Sequence, residues 1–288
     1  MTASLILEDL IAVIPEITNH HSPTSRLYAL LKRIVRNEVE VLFSDTDYKS
    51  VQFNAFGNLV FPYVKMGAID SLNLFDLDEL IIFSFYYINR NKYKKVMDIG
   101  ANIGLHSIIL NKCGYEVFTF EPDPKHFEFI KRNIELNDCN NIHALNAAIS
   151  DKCGQMEFIR VLGNTTGSHL VGSKKNPYGE LEKFQVEVAD INQYINEMDL
   201  IKLDAEGHEK EIILSTKIDN WLNTDAFVEI ENEENADAIY NFFKDSKINL
   251  FSQKRNWCRV ACLDDMPFSY HEGSLFISSK KQMPWSAH

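Results

Sequence analysis

The sequence predicts an open α/β sheet of parallel strands covered by helices on both faces, preceded by a smaller appendage. Three observations predict it. From Lys95 onward, short apolar runs alternate with helical stretches. The first of these runs ends in a glycine loop that opens a helix, and acidic residues follow the next ones. The 288 residues suffice for one large domain and an appendage, with 45% apolar and 24% charged residues, both ordinary globular proportions.

Each element has a local reason. Residues 1–45 read as amphipathic helix, broken near Pro15 and Pro23. Val51 to Val64 is aromatic and strand-like, with a turn at Gly57-Asn58. A helix starts near Asp76, where Asp76 and Glu79 have capping-box spacing ahead of the apolar run to Tyr87. Val96 to Ile99 is a buried strand, and Ile103 to Lys112 a helix stopped by Gly114. Val117 to Phe120 is the next strand; Asp123 caps a helix with Pro124 at its first position, running to Leu136. Ile142 to Leu145, Met156 to Val161, Phe184 to Val188, Leu200 to Leu203 and Phe227 to Ile230 read as further strands. Helices are expected from Glu209 and over Glu234 to Lys244, and the tail is strand-like and helix-poor. The expected division is 1–92 for the appendage, a cap over the crevice or a dimer interface, and 93–288 for the main domain.

Composition excludes several functions. Against 41 Asp plus Glu stand 29 Lys plus Arg, a formal charge of -12, which argues against nucleic-acid partners. The five cysteines form no CxxC pair and suit free thiols in a reducing compartment. The N-terminus lacks a basic region ahead of its apolar residues, and the run Leu80 to Ile88 is too short to span a bilayer. A cytoplasmic location is expected.

In parallel sheets, ligands bind beyond the carboxyl ends of the strands. After the first strand stand Asp98, Gly100, Asn102 and Gly104, a tight turn into a helix with free N–H groups. The dinucleotide pattern GxGxxG is absent, since Asn102 and Leu105 occupy two of its glycine positions. Asp98 would repel a phosphate and suits a cation. Glu121, 21 residues after Gly100, ends the neighbouring strand and is placed to accept ribose hydroxyls. A nucleoside with a positive charge and no phosphate fits this set, and S-adenosylmethionine is such a molecule.

Three segments together resemble the FkbM-type S-adenosylmethionine-dependent methyltransferases: DIGANIG at 98–104, FEPDP at 120–124 and IKLDAEGHE at 201–209. The resemblance is strongest over about residues 93–232 and visible from about residue 51. It implies a class I methyltransferase fold, a Rossmann-like, doubly wound seven-stranded sheet with an antiparallel last strand. It implies O-methylation of sugars, polyketides or other secondary metabolites. It assigns Asp98, Gly100, Asn102 and Gly104 to the methionine end of the cofactor, Glu121 and Pro122 to the ribose segment, and Ala148 and Ile149 to the adenine side.

The second candidate cluster is Lys202, Asp204, Glu206 and His208. A lysine inside an apolar strand is costly unless paired, and Lys202 shares a face with Asp204. A hydroxyl acceptor needs a base within ~3 Å. Asp204 is the first candidate and His208 the rival, its ordinary pKa being the more convenient; an ion-pair network that only holds the loop is the structural alternative. Asp204, Glu206, His208 and Glu229 could also hold a divalent ion, but their spacing matches no ligand motif, so no metal is expected. The competing functions are a nicotinamide-dependent oxidoreductase and a degenerate binding module. The expected partner is a small-molecule or glycan acceptor.

Overall fold

The computed structural model describes residues 2–3, 5–45, 47–173 and 180–285. The chain begins with a two-residue strand, β1 (Thr2–Ala3), and helices α1 (Leu5–Val13) and α2 (Arg26–Phe43), separated by 3-10 turns at Ile14–Glu16, which holds Pro15, and Thr18–His20, with Pro23 in a turn just before α2. Strands β2 (Ser50–Gln52) and β3 (Asn58–Val60) form an antiparallel pair around Gly57, whose φ of 72° is a conformation that favours glycine. Helix α3 (Leu77–Ile88) follows. Asp76 caps it through Leu77 N–H, but Glu79 does not close the expected box; the reciprocal box lies one turn earlier, between Asp70 and Asn73. Glu79 points elsewhere, to His106.

The main sheet then builds up as β4 (Lys95–Ile99), α4 (Leu105–Lys112), β5 (Glu116–Phe120), α5 (Pro124–Leu136) and β6 (Ile142–Leu145). A side excursion follows: β7 (Ala148–Ser150), β8 (Gly154–Val161), β9 (His169–Leu170) and β10 (Leu181–Asp190) form their own four-stranded sheet in the order β7-β10-β8-β9. Part of the polar loop between β9 and β10 lies outside the described residues. The chain returns through β11 (Leu200–Leu203), α6 (Glu209–Leu214), β12 (Asp225–Val228), α7 (Glu233–Phe243), β13 (Asn249–Ser252), β14 (Cys258–Arg259) and β15 (Leu275–Ser278).

The order across the main sheet is β14-β13-β15-β12-β11-β4-β5-β6. Strands β6, β5, β4, β11 and β12 are mutually parallel, and β15 is antiparallel to both β12 and β13. This is the class I methyltransferase order with its reversed last strand, plus one short edge strand, β14, that the sequence reading did not foresee. Chain direction across the sheet switches between β4 and β11, which places a crevice at their carboxyl ends.

The strands are buried on both faces, as parallel strands require. Along β4, Val96 faces one apolar cluster while Met97 and Ile99 face the other. The first cluster joins α1, α2 and α3 to α4 and the sheet without a break; the second lies under α6 and α7. The appendage therefore packs onto the sheet chiefly through α3, whose residues Leu80 to Tyr86 are all buried. Phe85 is the centre of that contact. Its ring centroid lies 4.8 Å from Phe227, 5.2 Å from Phe276 and 5.4 Å from Trp285.

Phe85→Ala should therefore destabilise the whole chain by about 3–5 kcal/mol, the usual cost of deleting a buried ring. A single urea transition shifted by that amount is the expected result. An early, separate transition of the N-terminal segment would show that the two parts do not share one core.

Candidate active site

The loop after β4 is built from residues in left-handed conformations: Gly100 at φ 75°, Asn102 at 54° and Gly104 at 89°. Gly100 N–H and Ala101 N–H both donate to Phe120 C=O, at 3.0 and 3.1 Å, so the loop is pinned to the end of β5. A Cβ on Gly100 would lie 1.7 Å from the carbonyl oxygen of Asp204. This glycine is thus required by the turn after β11, not by the approach of a ligand. Gly104 serves packing as well: its Cβ would meet Ile130 of α5 at 3.2 Å.

Glu121 is buried at the end of β5. Its two carboxylate oxygens accept from Asn102 N–H and Asp123 N–H, each at 2.8 Å. Burial pushes its pKa up to about 8, against the pull of those two donors. Around it opens a first cleft of about 590 Å³, lined by Gly100, Asn102, Pro122, Ala148 and Ile149 together with Glu121 itself. Six of the eight residues expected at the cofactor meet here. The other two do not reach the cleft. Asp98 is fully buried beneath the loop, with its Oδ2 accepting from Ser107 at 2.5 Å and its Oδ1 without a partner. Gly104 lies behind, at the start of α4. Both shape the loop from below.

A second, larger cleft of about 2110 Å³ lies between the appendage and the sheet. It shares Asn102, Thr166, His169, Asp204 and Glu206 with the first, so the two are continuous. Lys202 lines it and is 8% exposed. Its ammonium donates to Asp204 Oδ2 at 3.0 Å. Burial disfavours that charge, but the carboxylates of Asp204, Asp98, Glu79 and Glu229 outweigh it and hold the group protonated. Glu229 is the counterpart: burial and then the like charges of Asp204, Glu206 and Glu79 push its carboxyl well above the ordinary range. Glu206 sits at φ 51°, lining both clefts beside Asp204.

His208 does not accompany them. It is buried, with Nε2 at 2.8 Å from Ser150 Oγ and Nδ1 at 3.2 Å from Ser173 Oγ. It lines the first cleft with Asp204 and Glu206, on the side of β7, and is not among the residues that line the second. Burial holds it neutral by lowering its pKa. What fixes the turn after β11 is the next residue, Glu209. Its Oε1 accepts from Ala205 N–H and Gly207 N–H at 3.0 and 2.9 Å, and its Oε2 from Asn235 at 2.6 Å.

The sequence reading passed over three contributors. His126 and His169, not among the residues expected at the site, line the first cleft. His126 stands in the first turn of the helix after Glu121, a position that faces a ligand, and that signal was available. Glu79 reaches the second cleft from α3, oriented by His106 at 2.8 Å, which Tyr86 OH in turn holds at 3.1 Å. Among the described residues, no group of three or more His, Cys, Asp or Glu is arranged to hold a metal ion.

Residues 98–256 match the family described as the methyltransferase FkbM domain. The chain is similar to the methyltransferase sdnD of Sordaria araneosa, at 26% identity over 162 residues. That match spans 44% of this chain and 61% of the relative's length. Among solved structures, the precorrin-6y C5,15-methyltransferase of Geobacter metallireducens is 12% identical with a TM-score of 0.38, over 68% of this chain and 85% of the other. An S-adenosylmethionine-dependent methyltransferase of Agrobacterium tumefaciens is 10% identical with a TM-score of 0.39, over 70% and 62%.

Two buried carboxyls give the ligand-free protein a predictable pH response. Burial raises Glu121 to about 8 and Glu209 to about 7, from an ordinary 4.5. Between 4.5 and about 8 the folded chain keeps protons that the unfolded chain has released, so stability falls as pH rises through that window. From about pH 7.5 upward His21, His126 and His208, all lowered by burial, are neutral in either state and add nothing. Urea unfolding between about pH 7.5 and 8.5 should show the decline; a flat or rising profile would contradict it.

Proposed function

The chain belongs to the FkbM methyltransferase family, and on that premise we propose that its methyl donor is S-adenosylmethionine and its acceptor a hydroxyl group on a sugar, glycan or secondary metabolite. The observation that carries the reading is the junction of the two clefts at Asp204, which lines both. A methyltransferase needs two adjoining sites and one group between them that can take a proton.

The first cleft suits the donor. The Glu121 carboxylate is held by two main-chain N–H groups and keeps lone pairs for a ribose diol. Pro122, Ala148 and Ile149 offer an apolar wall for a purine, and Asn102 brings a buried Oδ1 that has no hydrogen-bond partner. Among the described residues, no lysine or arginine lines it, so a dinucleotide's pyrophosphate would find no cation among them. That counts against the oxidoreductase alternative. When bound, S-adenosylmethionine supplies a methyl group on a sulfonium, ready for in-line displacement.

The protein's own part is positioning and proton transfer. Lys202 fixes the Asp204 carboxylate through one oxygen, which leaves the other to accept the proton of an acceptor hydroxyl. Glu209 and the contact with Gly100 hold the Asp204 main chain in register with the donor loop. The second cleft is lined by Asp76, Asp78, Glu79, Glu206, Glu229 and Glu231. Its lysines are already engaged, Lys32 with Asp76 at 2.7 Å and Lys202 with Asp204. Such a wall accepts hydrogen bonds from a neutral polyol and repels phosphate or carboxylate acceptors, RNA included. The appendage acts as a cap in this reading, since Tyr28, Lys32 and Glu79 line the cleft. The five free cysteines suit a reducing, cytoplasmic setting, and among the described residues no helix is long and apolar enough to cross a membrane.

Thermal-shift titration with S-adenosylhomocysteine and, in parallel, NADH tests the donor: about 2.7 kcal/mol of stabilisation is expected from the first at a hundredfold over its Kd, and none from the second. Glu121→Ala should weaken S-adenosylhomocysteine by about tenfold or more, the loss of a buried hydrogen-bonding group. Asp204→Asn should leave that affinity within a few-fold and lower the rate of S-adenosylhomocysteine release on an acceptor found by screening sugars by about 10²–10⁴-fold. Retained turnover would remove Asp204 as the base.

A further inference from the structure

One side chain outside both clefts reaches the donor site through a continuous set of hydrogen bonds. Arg160 lies on β8, in the four-stranded side sheet, and is 3% exposed. Its Nε and Nη2 donate to Asp123 Oδ2 and Oδ1, each at 2.6 Å, a bidentate pair. Its Nη1 donates to Glu182 on β10, and its guanidinium carbon sits 4.6 Å from the centroid of the Phe184 ring. Asp123 is 1% exposed and does two further things. Its Oδ1 accepts from Lys125 N–H at 2.8 Å, capping α5, and its own N–H donates to Glu121 Oε1.

A buried ion pair is weak grounds for stability, because desolvation of both ions offsets most of their attraction. Apolar residues would fill this place at least as well. What the pair does achieve is geometric. It fastens the turn Glu121-Pro122-Asp123 to a sheet that shares no strand pairing with the main sheet among the described residues, at the point where Asp123 N–H orients Glu121. Burial alone would raise the Asp123 carboxyl; Arg160, together with His126 and the Lys125 N–H, more than compensates and keeps it below its ordinary value. The charge beside Glu121 is thereby paired.

We infer that Arg160 is a positioning residue for the donor: from the side sheet it locks the turn that aims the Glu121 carboxylate into the first cleft. The inference rests on the reading of that cleft as the S-adenosylmethionine site. It also assigns a purpose to the excursion β7–β10, which otherwise interrupts the strand-helix alternation.

The test is calorimetric titration of S-adenosylhomocysteine into wild type, Arg160→Met, Arg160→Lys, Glu182→Gln and the double variant Arg160→Met/Glu121→Ala. Arg160→Met should raise Kd about tenfold or more, comparable to losing a charged hydrogen bond. Arg160→Lys should recover only part of this, since an ammonium cannot bind Asp123 in bidentate fashion. Glu182→Gln, which leaves the bidentate pair intact, should stay within about twofold. The double variant should bind no more weakly than Glu121→Ala alone, because both changes act through one carboxylate. Circular dichroism melts accompany each variant; if Arg160→Met does not fold, Arg160→Lys carries the comparison. Folded Arg160 variants with wild-type Kd, or losses that multiply in the double variant, overturn the inference. A wild type that does not bind S-adenosylhomocysteine overturns the donor reading itself.

Discussion

Main chain meets main chain where the loop after β4 crosses the turn after β11, and only a hydrogen atom fits between them. A methyl group at position 100 would fall 1.7 Å from the Asp204 carbonyl oxygen. The same two segments are joined by Asp204 N–H donating to Ile99 C=O at 3.1 Å, which extends the ladder past the strands' ends. Everything described above at the site depends on this crossing. It makes one wall of the first cleft and one wall of the second out of the same residue. It also explains the run of left-handed residues on both sides, Gly100, Asn102 and Gly104 against Glu206 and Gly207. Such backbone persists only where its surroundings over-determine it. Here the determinants are the Phe120 carbonyl on one side and the Glu209 carboxylate on the other.

Charge is arranged around that crossing in layers. Lys202 stands amid Glu79, Asp98, Asp204 and Glu229, and its ammonium offsets part of their charge at the larger cleft. Burial pushes other carboxyls up, Glu121 to about 8 and Glu229, with like charges beside it, well above the ordinary range. The arrangement separates roles among chemically identical side chains: one carboxylate tied to a cation, others pushed toward the neutral form by their neighbours. His208, the imidazole that ordinary acidity would favour as a base, is instead absorbed into the packing between β7 and α6 by two serine hydroxyls.

Much of this was legible in the sequence, and the limits have physical reasons. Asp123-Pro124 announced α5 to the residue, because capping and a proline at the first helical position act locally. Leu200–Leu203 was read correctly because an apolar run bounded by charges has one comfortable place, inside a parallel sheet. The glycine loop was recognised, but its glycines were credited to the ligand, whereas Gly100 and Gly104 answer to Asp204 and Ile130. Those partners are 104 and 26 residues away, and no local pattern reports them. The same holds for Glu79, whose spacing to Asp76 imitated a cap while its side chain was taken by His106. The pairing of β8 with β10 was half seen, as two strands; that they leave the main sheet was not, since strand partners are set by packing rather than by propensity.

The position of β15 has a consequence for how the chain comes to be folded. Residues 275–278 form the last strand in sequence, yet they lie between β12 and β13 in the sheet. Until they are made, both neighbours present open hydrogen-bonding edges, and at about 5–20 residues per second of synthesis that interval lasts seconds. An unpaired apolar edge is a template for the wrong strand of another molecule. The nascent protein therefore passes through a stage in which the loop after β4 and its helices can already be in place while the far half of the sheet is still adhesive. Chaperone demand and sensitivity to C-terminal truncation should both trace to this one inserted strand.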